Sequence, residues 1–568
     1  MKMHLNKYMP KFFSAAVLAA SLTSCNDFLS IIPLNEVVLE NYWTEEADVN
    51  SCVYSCYAQL ESTDCLKRML VWGELRSDNL ITGNGSPLDI IQIAEENLLE
   101  TNGYTNWQPF YQCINRCNTV LHYAPSIHEK DPNYTEAELK AHIAEVTAIR
   151  SLCYFYLIRT FRDVPYVTEP SIDDNVNYRI PATKFDDVLA FIIADLEAVK
   201  DDAVRSYGED NTDNMTRITR WSIYAMLADM YLWQGNYSRC IEYCDKVIDY
   251  KKAEYEEMLE EQSSPIVELY GEYPLISEAP NSALYSGTAY TQIFGQGLSF
   301  ESIFELNFLD GDQVNSMVND FYGTVSSTAG QLSAPSYLFS QVAEGSNNYF
   351  GKTDCRYLEN MSGTDAAVYI RKYVTQGCSF RTSTTTGGSP SVTESTRTTM
   401  DCNWIVYRLT DIMLMKAEAE IELAGNVVEG STLTDEQMGH YRTAFSCISA
   451  VWKRANNKRV ATTDTLVFDD YATSRTAMEN LVYDERQREL MFEGKRWYDL
   501  VRMSRRDGTN TRMVDKVMPK FKENTAALRI RLSAQDALYY PINKDELRAN
   551  PYLVQNPAYN NESITTTE

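Results

Sequence analysis

Residues 225–248 read AMLADMYLWQGNYSRCIEYCDKVI, and the spacing within this stretch decides how most of the chain is interpreted. Small and large apolar side chains recur at intervals of three and four on both sides of Gly235: Ala228, Tyr231, Tyr237, Cys240, Cys244 and Val247. Small residues let two helices approach each other, large ones fill the groove between them, and glycine accommodates a turn. Residues 219–250 are therefore predicted to form two packed helices joined by a tight turn.

The same pattern recurs later in the chain, and both stretches match the tetratricopeptide helix–turn–helix repeat. Residues 407–426, YRLTDIMLMKAEAEIELAGN, are followed at 441–456 by YRTAFSCISAVWKRAN. Apolar residues at three-and-four spacing predict further helices over 47–60, 107–123 and 136–161. A mainly helical, all-α protein is therefore expected.

The stretch between these helical units, residues 263–400, has a different composition. It is rich in Gly, Ser, Thr, Pro and Tyr, and residues 381–400, RTSTTTGGSPSVTESTRTTM, have the composition of a flexible loop. Because loops held on a rigid scaffold often carry function, this insertion is expected to contribute to a binding face. Cys355 and Cys378 flank part of it and are candidates for a disulfide staple.

The N-terminus has the features of an export signal. Three lysines precede an apolar run at 12–22, which is too short for the roughly 20 residues that span a bilayer. Residues 21–30, SLTSCNDFLS, then resemble a bacterial lipobox, in which the cysteine sulfur receives a lipid. Cys25 is therefore the predicted lipidation site and membrane tether. The alternative is an ordinary secretory signal with a cysteine there by chance.

The composition disfavours several classes of function. The chain has 568 residues, is 44% hydrophobic and 12% aromatic, and carries a net charge of −28. This excess of negative charge repels phosphate backbones, so no nucleic-acid partner is expected. No second apolar stretch is long enough to cross a bilayer, so the lipid anchor is the expected membrane contact.

The cysteines are expected to be structural rather than metal ligands. Six of them form pairs spaced four apart: Cys52/Cys56, Cys113/Cys117 and Cys240/Cys244. On a helix this spacing places both thiols on one face, and the five histidines lie elsewhere in the sequence. A zinc site normally needs four nitrogen or sulfur ligands, so no metal is expected, and no cofactor beyond the covalent lipid on Cys25. Thiols packed between helices are favoured, while disulfides between separate segments stay open in an exported protein.

Several short segments, taken in order, resemble the SusD/RagB family of surface lipoproteins from Bacteroidetes. They run from Cys25 to Tyr559: CNDFLSIIPLNEV, WQPFYQCINRCNTVL, AEVTAIRSLCYFYLIRTFRDVPYV, ESIFELNF, YRLTDIMLMKAEAE, DERQRELMFEGKRWYDLVRMSR and YYPINKDELRANPYLVQNPAY. Each segment alone is weakly specific, whereas the ordered set is specific.

The resemblance implies a fold and a role. It implies four tetratricopeptide-like helix pairs with a loop-rich ligand-binding face, and a lid on a SusC-like TonB-dependent barrel in the outer membrane. Such a lid captures a nutrient, usually an oligosaccharide, at the cell exterior and does not cleave it. The expected organisation is a signal peptide at 1–24, a lipid-anchored leash at 25–40 and one helical domain at 41–568, with the insertion at about 263–400.

The acidic stretch DERQRELMFEGKRWYDLVR offers an enzymatic alternative. Glu485, Glu489 and Glu493 are four apart and are predicted to share one helical face, where paired carboxylates are suited to acid–base catalysis. Charges of both signs at this spacing are more often ion pairs, here on an Arg-rich helix that clamps neighbouring loops. The chain also contains no HExxH, GxSxG, P-loop or dinucleotide motif. No catalytic residue is therefore predicted.

Ligand capture by aromatic stacking is the stronger hypothesis. Most of the 38 tyrosines and 8 tryptophans are expected to fill helix grooves, so those outside the helical rhythm are the better candidates. In WGELRSDNL, three polar residues beside the tryptophan are suited to bind sugar hydroxyls. The predicted ligand-binding residues are Trp72, Arg76, Asp78, Asn79, Tyr104, Tyr285, Tyr290, Phe294, Phe321 and Tyr322.

Two other functions compete with the nutrient-binding lid. A stand-alone surface glycan-binding protein or scaffold would need no barrel, and a lipid-anchored hydrolase would degrade what it binds. The family segments favour the lid over the first, and the absence of catalytic motifs disfavours the second. The identity of the ligand is left open.

Overall fold

The computed structural model describes residues 43–172, 178–209, 211–261, 266–278, 284–285, 287–308, 314–326, 328–339, 349–350, 354–364, 367–381, 391–456 and 466–560. The predictions for the signal peptide, Cys25 and the whole leash at 25–40 lie outside these residues. In the described part of the chain, no helix combines the length and the apolar character needed to cross a membrane.

Helices make up most of the described chain. They are Glu46–Leu60, Thr63–Leu70, Leu88–Ala94, Gln108–His128, Glu136–Phe161, Phe185–Val199, Asn211–Thr216, Arg220–Gln234, Tyr237–Glu260, Thr288–Tyr290, Ser316–Phe321, Ser336–Phe339, Arg356–Asn360, Leu409–Leu423, Asp435–Ala455, Phe468–Tyr471, Arg475–Leu490, Arg496–Asp507, Thr511–Val517, Thr525–Leu532 and Lys544–Ala549. Two π-helical segments, Val71–Leu75 and Thr291–Gln296, and several 3-10 turns connect them. The expectation of a mainly helical fold is confirmed.

The helical scaffold is a series of paired helices. Gln108–His128 packs on Glu136–Phe161, Arg220–Gln234 on Tyr237–Glu260, and Leu409–Leu423 on Asp435–Ala455. The turn in the second pair has Gly235 in the left-handed conformation, with φ of 78°. The Cys240 and Cys244 thiols are fully buried between helices, as their spacing predicts.

Short strands accompany the helices and lie mostly in the insertion. They are β1 (Ile81–Thr82), β2 (Val267–Tyr270), β3 (Tyr273–Ile276), β4 (Leu284–Tyr285), β5 (Ser302–Leu306), β6 (Leu332–Ser333), β7 (Met361–Thr364), β8 (Ala367–Ile370), β9 (Thr375–Arg381), β10 (Ser391–Thr396) and β11 (Trp404–Arg408). They form antiparallel pairs β1–β6, β2–β3, β5–β11 and β7–β8, and β9 lies between β10 and β4.

Two predictions for the insertion are wrong. Residues 391–396, assigned to a flexible loop by composition, form strand β10 and pair with β9 from Ser391 opposite Arg381 onward. The threonines and serines that suggest a loop also suit a pleated strand once a partner lies beside it. Cys355 and Cys378 are both free buried thiols in the structure, so they form no staple.

The acidic stretch also differs from its prediction. Its helix ends at Leu490, and Phe492 has φ of 67°, so Glu493 lies in the following turn rather than on the face of Glu485 and Glu489. The predicted clamping of a neighbouring loop is confirmed for Arg496, whose guanidinium donates at 2.8 Å to Asp78 in the turn after Val71–Leu75. The Arg486 guanidinium instead donates to Asp411, 2.9 Å away on the helix Leu409–Leu423.

That turn is held by a buried carboxylate from the first part of the chain. Glu74 accepts hydrogen bonds from the backbone N–H groups of Phe492, Lys495 and Arg496 at 2.9–3.1 Å, and from the Asn79 side chain at 2.7 Å. Burial raises the pKa of Glu74, and these donors oppose the rise. Because Lys495 and Arg496 begin the helix Arg496–Asp507, Glu74 stabilises the N-terminus of that helix.

Gly73 packs closely against the same turn. A Cβ built on Gly73 would lie 1.8 Å from the carbonyl oxygen of Gly494, which is far inside contact distance. We expect Gly73→Ala to lower the free energy of unfolding by about 1–3 kcal/mol, because two backbones must separate. Denaturant unfolding followed by circular dichroism measures the change.

The matched control is Gly439→Ala. Gly439 lies within the helix Asp435–Ala455, and a Cβ built on it meets nothing within 4 Å. Alanine there should raise stability by about 0.5–1 kcal/mol through helix propensity. Equal effects of the two substitutions would contradict the close approach at Gly73.

Candidate functional site

The structure buries most of the predicted ligand-binding residues. Those with almost no solvent exposure are Trp72, Arg76, Asp78, Asn79, Tyr290, Phe294, Phe321 and Tyr322. Side chains in the core offer no ring face or hydrogen-bonding group to a ligand arriving from solvent. The structure therefore contradicts the surface role predicted for these eight residues.

Trp72 shows why the prediction is wrong. Its ring packs on Phe110 and Phe161, with centroids 4.9 and 5.3 Å apart, and its indole N–H donates to the Tyr104 carbonyl at 2.8 Å. The ring thus joins the π-helical segment Val71–Leu75 to two long helices. Alanine at this position would test packing rather than ligand binding.

The neighbouring polar residues bind other parts of the protein. The Arg76 guanidinium pairs with Glu96 at 2.7 Å and donates to the carbonyl of Leu538 at 2.9 Å. Asp78 accepts from Arg496 at 2.8 Å. Arginine and carboxylate groups that are buried and fully paired hold parts of the protein together. Removing one member of such a pair leaves the other as a buried, unpaired charge, which is destabilising.

The aromatic candidates of the insertion are also core residues. The Tyr290 hydroxyl donates to the Arg371 carbonyl at 2.8 Å, and the Tyr322 hydroxyl donates to the Phe492 carbonyl at 2.7 Å. The Lys372 ammonium lies 4.5 Å from the ring centroid of Phe294. The Tyr322 contact attaches the insertion to the helical scaffold, whereas the Tyr290 and Phe294 contacts hold parts of the insertion together.

Two candidates remain. Tyr104 is half-buried, and burial raises the pKa of its hydroxyl to about 12, so it stays protonated at neutral pH. Tyr285 lies in strand β4, and its side chain is outside the described residues.

An open cleft lies beside strand β1, which directly follows the segment WGELRSDNL in the chain. It has a volume of about 760 Å³ and is bounded by Ile81 and Thr82, by the end of the helix Leu88–Ala94, and by residues 520–531. We call this space the β1 cleft. Volumes of this size are typical of small-molecule and oligosaccharide sites.

The floor and rim of the β1 cleft differ in chemistry. Ala94, Ala527 and Leu528 are apolar, and the half-buried ring of Phe521 lies among them. The rim carries exposed polar side chains of both signs and one amide: Glu95, Lys522, Glu523, Asn524 and Arg531. This combination suits a ligand with apolar faces and hydroxyl edges, as a sugar ring has.

Lys520 ties the β1 cleft to the predicted segment. Its ammonium donates to the backbone carbonyls of Leu75, Arg76 and Ser77 at 2.7–3.2 Å. Burial lowers its pKa to about 8. The backbone of residues 75–77 therefore stands directly behind the cleft wall and supports it through Lys520.

Sequence reasoning missed the residues that line the β1 cleft. Lys520, Phe521 and Lys522 fall between the segments that carry the family resemblance, and they are 440 or more residues from Arg76 in sequence. A signal existed, because two lysines flanking an aromatic ring are conspicuous in a chain with a charge of −28.

Comparisons with known proteins agree on one family. Residues 301–559 match a family model described as the SusD family, and residues 32–232 match a second described as "Starch-binding associating with outer membrane". The SusD-like protein P25 of Formosa agariphila is 24% identical, over 96% of this chain and 97% of its own length.

Solved structures of SusD-superfamily proteins share the fold. One from Bacteroides thetaiotaomicron has a TM-score of 0.63 at 18% identity and is covered over its full length by 90% of this chain. A structure entitled "Laminarin binding SusD-like protein" has a TM-score of 0.60 at 20% identity, with 91% of this chain and all of that chain covered.

Proposed function

Since this chain belongs to the SusD/RagB family, we propose that it is a cell-surface lipoprotein that binds a nutrient oligosaccharide without cleaving it. In this proposal Cys25 carries the covalent lipid that anchors the protein to the outer membrane. The protein acts as the lid of a SusC-like TonB-dependent barrel and passes the bound oligosaccharide to it.

The β1 cleft is the observation that carries the binding proposal. It opens beside the segment WGELRSDNL, which the sequence predicts to contribute ligand contacts, and it combines the Phe521 ring with the polar rim. One family model is described as starch-binding, and one structural neighbour is entitled laminarin binding. Those descriptions apply to other proteins, and they support a glycan as the class of ligand here.

Removing the aromatic ring from the β1 cleft should weaken glycan binding. We expect Phe521→Ala to raise Kd about fivefold, because loss of one stacking contact is worth about 1 kcal/mol. Isothermal titration of the mature protein with a panel of neutral oligosaccharides measures this.

The control is Phe191→Ala, which removes a solvent-exposed phenylalanine ring that does not line the cleft. Its glycan affinity should be unchanged. If both variants bind as the wild type does, the β1 cleft is not the glycan site.

The lid role is tested by purification of the native lipidated protein in several mild detergents, followed by mass spectrometry of what accompanies it. A co-purifying TonB-dependent barrel supports the lid. A protein that binds glycan but elutes alone in every detergent would favour the stand-alone surface binder.

A further inference from the structure

A second pocket lies away from the β1 cleft and shares no lining residue with it. It has a volume of about 410 Å³ and lies between the start of the helix Gln108–His128, residues 165–171 and 178–180, and the helix Lys544–Ala549 with the residues that follow it. We call it the Glu546 pocket. The glycan proposal makes no use of it.

Aromatic rings form one wall of the Glu546 pocket. Trp107 and Tyr111 contact each other with ring centroids 5.7 Å apart, and Tyr178 stands at the pocket with most of its side chain exposed. Ile114 and Pro165 add apolar surface. A ligand entering here therefore meets mainly ring faces and hydrocarbon.

The walls are held in place by hydrogen bonds. The Tyr111 hydroxyl donates to the carbonyl of Pro165 at 2.6 Å, and the Asn118 amide donates to the carbonyl of Val167 at 3.2 Å. These bonds join the helix Gln108–His128 to the segment opposite it. The pocket is thus formed before any ligand arrives, which limits the ordering cost of binding.

The electrostatics of the pocket favour a positive ligand. Glu546 is the only charged residue among the described residues that line it, and no salt bridge is found for Glu546 in the described part of the chain. Burial raises the pKa of Glu546, and donation from the Trp107 side chain opposes the rise. A carboxylate that is desolvated beside aromatic rings and has no paired cation is stabilised when a cationic ligand binds next to it.

We propose that the Glu546 pocket binds a small organic cation, an ammonium group carrying an apolar body. The ammonium would pair with the Glu546 carboxylate and lie near the half-buried ring of Tyr111, while the apolar body fills the rest of the pocket. Anions are excluded, because the described lining offers them no positive group. The net charge of −28 also raises the concentration of cations near the surface.

The test is isothermal titration of the full mature protein with benzylamine, benzyl alcohol and benzoate. We expect benzylamine to bind about tenfold more tightly than the neutral alcohol, as an ion pair and a cation–π contact together imply, and benzoate not to bind. Equal affinity for amine and alcohol, or no binding of benzylamine, would overturn the proposal.

Two variants test whether Glu546 causes the preference for benzylamine over benzyl alcohol. Glu546→Gln keeps an acceptor for Trp107 but removes the charge, and it should weaken benzylamine about tenfold while leaving benzyl alcohol unchanged. Asp545→Asn removes one negative charge from the same helix at an exposed position that does not line the pocket, and should leave both affinities unchanged. Equal losses in the two variants would show a general charge effect and overturn the assignment to Glu546.

Discussion

Replacing Glu489 by alanine is expected to lower the free energy of unfolding by about 3–5 kcal/mol, the cost of breaking a buried ion pair from one side. Glu489 is buried near the end of the helix Arg475–Leu490. One carboxylate oxygen accepts from Arg408 at 2.6 Å and from Arg454, and the other accepts from Arg356 at 2.9 Å. All three guanidinium groups are buried as well.

The size of this effect follows from what alanine leaves behind. Arg356 and Arg408 retain other carboxylates, Glu485 and Glu493 respectively, but each loses a short charge-assisted bond inside the protein. Water cannot replace Glu489 without opening the contact between the insertion and the helical scaffold. Denaturant unfolding measures the loss, with Glu256→Ala on the exposed face of the helix Tyr237–Glu260 as the control. A loss below about 1 kcal/mol, the range of an exposed pair, would contradict the prediction.

The same carboxylate makes stability depend on pH in a defined direction. Burial alone would raise the pKa of Glu489, but Arg454, Arg408 and Arg356 hold it well below its usual value. A carboxyl group whose pKa is lowered in the folded state stabilises the protein at pH values above its unfolded-state pKa of about 4.3. That contribution is lost as the pH falls through the folded-state pKa, so Glu489→Ala should reduce the difference in stability between neutral and acidic solution.

Replacing Cys25 by serine is expected to abolish lipid attachment and to move the protein from the membrane fraction towards the soluble fraction. Serine offers no thiol for lipid attachment, and each acyl CH₂ buried in the bilayer contributes about 0.8 kcal/mol to anchoring. Two or more acyl chains therefore hold a protein stably, whereas the protein without them contacts the membrane only through a barrel that it binds. Fractionation of cells, with incorporation of an alkyne-labelled fatty acid, measures both the lipid and the location.

The control is Cys52→Ser, which removes a half-buried thiol from the helix Glu46–Leu60. This variant should remain lipidated and in the membrane fraction. If the Cys25 variant also keeps its label and its location, then Cys25 is not the lipidation site.

The helical scaffold could be predicted because its signals are local. The helix predicted over 136–161 is observed as Glu136–Phe161, and Gly235 separates two helices at the predicted turn. Helical periodicity repeats every few residues, so it can be read without knowledge of distant partners. Strand β10 could not be predicted in the same way, because its partner β9 supplies the hydrogen bonds.

The sequence indicated a segment beside the β1 cleft but none of the residues that line it. The segment around Trp72 does lie at a cleft, yet its side chains point into the core, and the rim is supplied by residues 520–531. Whether an aromatic ring stacks on a ligand or on Phe110 depends on which helix passes behind it. The identity of that helix cannot be read from the residues next to the ring in sequence.

The sequence by itself determined the helix pairs, the family and the presence of an Arg-rich clamping helix, since these depend on periodicity and on the order of motifs along the chain. Only the tertiary structure decided which charges are paired in the core, where Glu74 caps the helix Arg496–Asp507, and which side chains face the β1 cleft and the Glu546 pocket. The physical reason is that burial and ion pairing arise from contacts between residues far apart in the chain. Arg76 and Leu538, which are 462 residues apart and joined by one hydrogen bond, are an example.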